Sequence, residues 1–275
     1  MRILGLGDNT VDTYVDMGVQ YPGGNAVNVA VMTARLGAAT GYLGCVGKDE
    51  GGALIRASLI AEGVDVARLR TRSGANARAF IGHDAGDRRF LRTEPGVRAD
   101  YRWEDADFGY MAQFDHVHTS IYSQLDDMLP VVKRVAGSVS IDGSNRWTPE
   151  WLDGVLPHVR IAFLSASDVS DTELEALFAH CLAKGAEVIV ATRGGNGAVG
   201  ATKDERLRQV ALPTTVVDTL GAGDGFISGF LVDYLAGASL GHALNAGATY
   251  AARVCAWHGG FGHDARWTGD AAAGV

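Results

Sequence analysis

Two hydrophobic periods alternate along the chain. A continuous apolar run over residues 2 to 7 has the length and bounds of a short buried strand, and residues 26 to 36 then carry apolar side chains at the spacing of a helix face. The succession recurs, with strands expected at 40–46 and near 115–119, 138–142, 160–164 and 187–192, and helices at 50–62 and near 125–136 and 171–183. Ala222, Phe226, Phe230 and Tyr234 fall four residues apart and predict a helix from 222, with another across 240–256. Such alternation predicts an α/β fold, a mostly parallel sheet covered by helices on both faces. Residues 13–22 and the arginine-bearing 76–93 break the rhythm; "RAFIG" and "RRFLR" read as hairpin strands of a small flap, and 197–217 reads as short β segments.

Composition narrows the class without naming a reaction. A chain of 275 residues fits one large α/β domain, and 47% hydrophobic with 20% charged residues is the balance of a soluble globular protein. A net charge of −8, with no lysine or arginine cluster, argues against nucleic acid as a partner. The three cysteines, Cys45, Cys181 and Cys255, are odd in number and lack metal-ligand spacing, which predicts reduced thiols in a cytoplasmic setting. The amino terminus reaches Asp8 before a signal-peptide core could form, and no stretch has the length of a membrane span.

The chemistry concentrates in "DTLGAGDGF", Asp218 to Phe226. Gly221 and Gly223 let the chain curl so that consecutive amides around Ala222 aim into one concavity at a helix start, an anion site supported by the helix dipole. A bound anion would be repelled by Asp224 unless that carboxylate accepts a proton from a second substrate, and phosphoryl transfer to a hydroxyl meets both conditions. The plainer alternative is a tight strand-to-helix turn with Asp224 as a capping residue. A second stretch, "GGNAVNVAVMTARLG", brings Gly23 and Gly24 close to a ligand and offers the amides of Asn25 and Asn28, groups that suit sugar hydroxyls, although Asn25 would also serve as a simple helix cap. Asp8 and Asp12 in "GDNTVD" follow the first strand, at the carboxyl edge where open α/β sheets bind ligands. "HVH" at His116 to His118 has the spacing of a metal-hydrolase strand without its further ligands, and His118 is better read as supporting the sugar side. "GLGDNT" lacks the third glycine of a dinucleotide fingerprint, and there is no P-loop.

Together these stretches resemble the PfkB, or ribokinase-like, family of carbohydrate kinases, whose two signatures match "GGNAVNVAVMTARLG" and "DTLGAGDGF". "VGKDEGG" at Val46 to Gly52 and "ATRGGNGAV" at Ala191 to Val199 are similar to further family motifs. The resemblance implies a single kinase domain over 1–275, a ribokinase-like three-layer sandwich with a small β lid from about 13–22 and 76–93. It implies Asp224 as catalytic base, Gly221, Ala222 and Gly223 as the anion hole, and Asp8, Asp12, Gly23, Gly24, Asn25, Asn28 and Arg89 as substrate-binding positions. Thr192, Gly194, Gly197 and Thr219, with Gly221 and Gly223, would lie beside ATP. ATP and Mg2+ are the implied cofactors, with K+ as a further ion near Asp218, and a homodimer through the lid is the implied assembly. One motif departs. Where the family carries Asn-x-x-Glu to organise magnesium, this chain has "SASD", so Asp168 would act through water; Arg193 follows the nucleotide-site threonine and would contact phosphate.

Within the family, "GDNTVDTY", "FDHVHTSIY" and "DTLGAGDGFISGFL" look like the fructoselysine 6-kinase branch, which implies phosphorylation of the 6-hydroxyl of fructoselysine or a related fructosamine, with Arg78, Arg88, Arg89 and Arg92 of the lid near its carboxylate. "DGSNRW", Asp142 to Trp147, is similar to a 2-keto-3-deoxygluconate kinase pattern, so that enzyme and fructokinase are alternatives within the family. A nucleoside kinase and a catalytically silent sugar or nucleotide sensor are the more distant rivals.

Overall fold

The computed structural model describes residues 1–84 and 87–269. In chain order the elements are β1 (Arg2–Gly7), β2 (Thr10–Tyr14), β3 (Val19–Gly23), α1 (Asn25–Arg35), β4 (Ala39–Gly47), α2 (Glu50–Ala61), β5 (Asp65–Arg72), β6 (Arg78–Asp84) and β7 (Asp87–Glu94). There follow α3 (Asp105–Met111), β8 (His116–Ser120), α4 (Leu129–Ala136), β9 (Val139–Asp142), α5 (Pro149–Val155), β10 (Ile161–Ser165), α6 (Asp171–Ala183) and β11 (Val188–Thr192). The chain continues through β12 (Ala198–Ala201), β13 (Arg206–Gln209), α7 (Ala222–Leu235), α8 (Leu240–Val254) and β14 (Ala265–Arg266).

Nine strands form the large sheet in the order β13-β12-β11-β10-β9-β8-β1-β4-β5. All neighbours run parallel except β11 with β12 and β12 with β13. Strand alternation sends Ala162 and Leu164 to one face and Phe163 to the other. On the first face they join Tyr110, Val132, Leu152 and Phe178 from α3 to α6. On the second, Phe163 joins Val29, Phe226, Phe230 and Leu244 from α1, α7 and α8. Three layers result, because a sheet apolar on both faces is stable only when both are covered.

Five strands form the small sheet, ordered β14-β3-β2-β6-β7 and antiparallel throughout except for β2 with β6. The stretches 13–22 and 76–93 expected to form a flap contribute the end of β2, most of β3, and β6 with β7. Ala85 and Gly86 of the expected hairpin, and residues 270–275 of the expected domain, lie outside the described residues. The helix expected over 125–136 begins only at Leu129: residues 126–128 form a 3-10 turn, and Pro130 sits in the first turn of α4, where it lacks only an amide the helix does not use. Among the described residues no helix is long and apolar enough to cross a membrane.

Candidate active site

Parallel strands bring their carboxyl ends to one edge, and five of them end there on polar residues. Asp8 follows β1, Ser120 ends β8, Asp142 ends β9, Ser165 ends β10 and Thr192 ends β11. Above this edge α1 and α7 start, so their first-turn amides face the same space.

Asp8 is buried and ties these elements together. Its Oδ2 accepts from the Asn25 amide at 2.8 Å and its Oδ1 from the Ala26 amide at 3.3 Å, which caps α1. The Ser120 and Ser123 hydroxyls donate to Oδ1 at 2.7 and 3.0 Å. Gly24, at φ 102°, turns the chain into α1, and a Cβ there would stand 2.5 Å from the Asn9 Cα. The cap therefore frees the Asn25 side chain from the helix terminus and leaves it for the cleft.

Asn25 and Asn28, one turn apart on α1, converge on Asp224 in the first turn of α7. The Asn25 amide donates to Asp224 Oδ1 at 2.7 Å and the Asn28 amide to Oδ2 at 2.5 Å. Asn25 Nδ2 also reaches Asp142 Oδ2 at 3.1 Å, while Asp142 Oδ1 accepts from the Ser144 amide at 2.7 Å. One amide nitrogen thus serves two carboxylates. Both acids line the cleft, yet they lie deep enough that burial pushes Asp224 up to about 6, against the lowering effect of Asn28 and Asn25 and with the charge of Asp8 adding to the rise. Burial, and then the neighbouring Asp224, pushes Asp142 up to about 7.

The Gly221 to Gly223 turn stands beside them. Gly221 adopts φ 76° at the start of α7, and a Cβ there would come within 2.8 Å of the Gly260 Cα. A cavity of about 130 Å³ is walled by Gly221, Gly223, Asp224, Asp142, Ser165 and Thr192. It adjoins a larger cavity of about 470 Å³, with which it shares Ser165, Thr192 and Gly223. Thr192, Gly194, Gly197 and Thr219 line the larger one, as do Ala222 and the apolar Leu212 and Phe226. The arrangement is a deep apolar cleft leading through a helix N-terminus to a carboxylate pair. Of the three amides expected to form an anion hole, that of Ala222 is already engaged, donating to the Thr219 carbonyl at 3.2 Å.

Asp12 is buried on β2 and leans against Gly23, where a Cβ would stand 2.1 Å from its Oδ2. Asp218 is held by the Tyr14 hydroxyl, the Leu220 amide at 2.9 Å and the Gly259 amide at 3.2 Å. Arg89 lies exposed on β7. Asp168 does not join the pair of cavities; it lines a separate cleft with Trp147, Leu152, Glu173 and His180. Arg193 turns away from the cleft, pairing with Asp171 at 2.6 Å and donating to the Val169 carbonyl at 2.9 Å. The acid that the structure does bring to the small cavity beside Asp224 is Asp142. Its signal in the sequence is its place at the end of an expected strand, on the same edge as Asp8. Among the described residues no three histidine, cysteine or acidic side chains cluster as a metal site.

The profile of the pfkB family carbohydrate kinases matches residues 5–261. The chain is 38% identical to the fructosamine kinase FrlD of Bacillus subtilis (strain 168), over 96% of this chain and 94% of that protein. It is 35% identical to the fructoselysine 6-kinase of Escherichia coli (strain K12), over 92% of this chain and 97% of the other. Among solved structures it is similar in fold to a ribokinase of Arabidopsis thaliana complexed with ribose and ATP, with a TM-score of 0.80, 19% identity and 94% of each chain covered. A candidate ribokinase II of E. coli, in complex with ATP and Mg2+, also superposes with a TM-score of 0.80, at 22% identity and with 94% of each chain covered.

Proposed function

The chain belongs to the pfkB family of carbohydrate kinases, and from that premise we propose that it transfers the terminal phosphoryl group of ATP to the 6-hydroxyl of fructoselysine or a related fructosamine. The single observation that carries the reaction is the placement of Asp224: its carboxylate is held by Asn25 and Asn28 at the point where the apolar cleft meets the start of α7. The substrate class rests on the similarity to two kinases named for fructosamine and fructoselysine.

In the proposed mechanism ATP lies in the larger cavity, with Thr192, Gly194, Gly197 and Thr219 against it. Its terminal phosphate points at the Gly221 to Gly223 turn, whose Gly221 and Gly223 amides and helix dipole meet the charge on the transferring group. The sugar is held by Asp12, Asn25 and Asn28, its primary hydroxyl toward Asp224. As the hydroxyl oxygen bonds to phosphorus and the bond to ADP breaks, the hydroxyl proton passes to Asp224 Oδ. Most of the acceleration is positioning and electrostatics, with the base adding its share. Asp8 caps α1 and sets the asparagines, so its part is to position them.

Magnesium fits this site at Asp142. Two carboxylates share one amide donor and are both pushed upward, a donor set whose charge a divalent cation relieves. When bound, the metal neutralises phosphate charge. Asp142 would hold it, in the place the sequence assigned to Asp168. K+ near Asp218 would bind through backbone carbonyls, since the Asp218 carboxylate already accepts from three donors.

The small sheet acts as a lid over the sugar and excludes water. Its exposed Phe90 and Leu91, at 56% and 42%, support pairing of two chains through the lid. The assignment of a cytoplasmic enzyme rests on its reduced cysteines and soluble composition. The test is kcat/KM for fructoselysine against fructose, 2-keto-3-deoxygluconate and ribose, repeated with Arg89→Ala and Arg92→Ala. Fructoselysine should lead, with the arginine changes weakening only the fructosamine. A free sugar preferred tenfold or more, a gap of about 1.4 kcal/mol in transition-state binding, would overturn the substrate while leaving the kinase.

A further inference from the structure

A chain of buried polar groups runs through the large sheet from its amino-terminal edge to the carboxylate pair. His116 Nδ1 lies 2.8 Å from Ser138 Oγ and its Nε2 2.8 Å from Ser140 Oγ. Ser140 Oγ lies 2.7 Å from His118 Nδ1, and His118 Nε2 lies 2.9 Å from Asn25 Oδ1. Both imidazoles are fully buried, and His118 packs edge-on against Phe163 at 6.3 Å between ring centres. Buried polar groups of this kind are costly unless each finds a partner.

The direction of every bond is fixed from one end. When the two carboxylates are ionised, Asn25 must turn its NH2 toward them, since only a donor suits the charged pair, so its Oδ1 faces His118 and requires a donor there. His118 therefore carries its proton on Nε2, its Nδ1 accepts from Ser140, Ser140 accepts from His116 Nε2, and His116 Nδ1 accepts from Ser138. Burial holds both imidazoles down near 3, so they stay neutral at physiological pH and a single tautomer persists.

We infer that His118 is a positioning residue of the phosphoryl-transfer site, holding the Asn25 amide in the one orientation that donates to Asp224 and Asp142 together. Without it the Asn25 amide turns over freely, and in the flipped form Oδ1 faces two carboxylates and repels their charge. The chain does not conduct the substrate proton, because a carboxamide in its path neither accepts nor releases one near neutral pH. Its role is orientation, and the role rests on the kinase reading given above.

The test separates the two. In 15N-labelled wild-type protein without substrate at pH 8, where both carboxylates are ionised, His118 must show a protonated Nε2 and a bare Nδ1. The reverse tautomer overturns the inference, and this measurement needs neither turnover nor a variant. Next, the 13C-carboxyl titration of Asp224 is followed in wild type, His118→Phe and His118→Gln, the glutamine keeping a donor where Nε2 stood. The groups facing Asp224 are Asp8, Asp142, Asn25 and Asn28, and none is altered. The midpoint should move upward by about one pH unit in the phenylalanine variant and return in the glutamine variant. With the best accepted sugar, kcat should fall about ten- to a hundredfold in His118→Phe, as for lost partners that orient a ligand, with KM for ATP unchanged and kcat largely restored by glutamine. A lower melting temperature with no movement of the titration makes His118 a packing residue and overturns the inference. If wild type phosphorylates no sugar, the kinase reading fails, while tautomer and titration still decide the part of His118.

Discussion

Tyr14 and Asp218, 204 positions apart in sequence, meet through a buried hydrogen bond from the phenol to the carboxylate. Tyr14 ends β2 of the small sheet, and Asp218 opens the turn that leads to Gly221 and α7. The same carboxylate oxygen accepts from the Gly259 amide, so sheet, turn and the loop after α8 share one anchor.

Tyr14→Phe tests the anchor. The substitution keeps the ring contacts with Tyr21 and removes a donor from a buried carboxylate. The cost is expected at about 1–3 kcal/mol of unfolding free energy, with a fall in kcat larger than any change in KM for ATP. Urea unfolding and steady-state kinetics check it, and unchanged values in both would show that the bond joins nothing of consequence.

The pH profile follows from the carboxylate pair. Asp224 must be ionised to accept a proton, and its folded value of about 6 puts the acid limb of kcat/KM near that pH, with activity lost as pH falls through it. Asn28→Ala removes a hydrogen bond that lowers the value, so the limb should move to higher pH. Stability runs the other way. Asp142 rises from 3.8 to about 7 on folding, so the folded chain holds an extra proton between those values and loses stability as pH rises through that window. Asp142→Asn should therefore gain stability relative to wild type at pH 8 and not at pH 4. Denaturant titrations at both pH values, beside the rate profiles, test the assignment, and a limb that stays in place in Asn28→Ala contradicts it.

Potassium should raise turnover over sodium or a bulky organic cation at equal ionic strength. The Asp218 carboxylate is engaged by three donors, and the Thr219, Gly221, Gly260 and Phe261 carbonyls already accept hydrogen bonds, so the ion would draw on the other carbonyls of this turn and of the loop at Trp257 to Gly262. Rates measured in the three cations decide it, and equal rates refute the ion.

Much of this molecule is legible in its sequence where period and motif coincide. The strands ending at Gly7, Asp142 and Thr192 and the helix from Ala222 lie where apolar spacing puts them, because their burial is continuous along the chain. Other elements carry weaker patterns. β5, "DVARLRTR", is an edge strand with Leu69 as its one buried position, a pattern too weak to mark a strand, and its Arg68 and Arg70 pair with Asp107 of α3. α3 is short and acidic, and the partners that hold it lie more than 30 residues away. α5 did leave a signal, Thr148 as cap before Pro149. In the site, Asp224, Asn25 and Asn28 announce themselves in glycine-rich motifs. Asp142 and His118 sit on strands 117 and 93 positions from Asn25, and only parallel stacking of β8 and β9 brings them to it. Asp168 has the local spacing of a magnesium acid, but the turn after β10 carries it to another cleft.

In the proposed mechanism Asp224 is the group that receives the hydroxyl proton. Single-turnover phosphorylation of the preferred fructosamine by Asp224→Asn, measured beside ATP affinity and thermal melting, addresses that claim directly. The amide keeps the shape, and the loss of a charge near Asp8 and Asp142 leaves the fold at least as stable. The predicted result is a rate lower by about two to four powers of ten with ATP affinity and melting temperature preserved. A rate within tenfold of wild type would contradict the mechanism and reduce Asp224 to a residue that organises the start of α7.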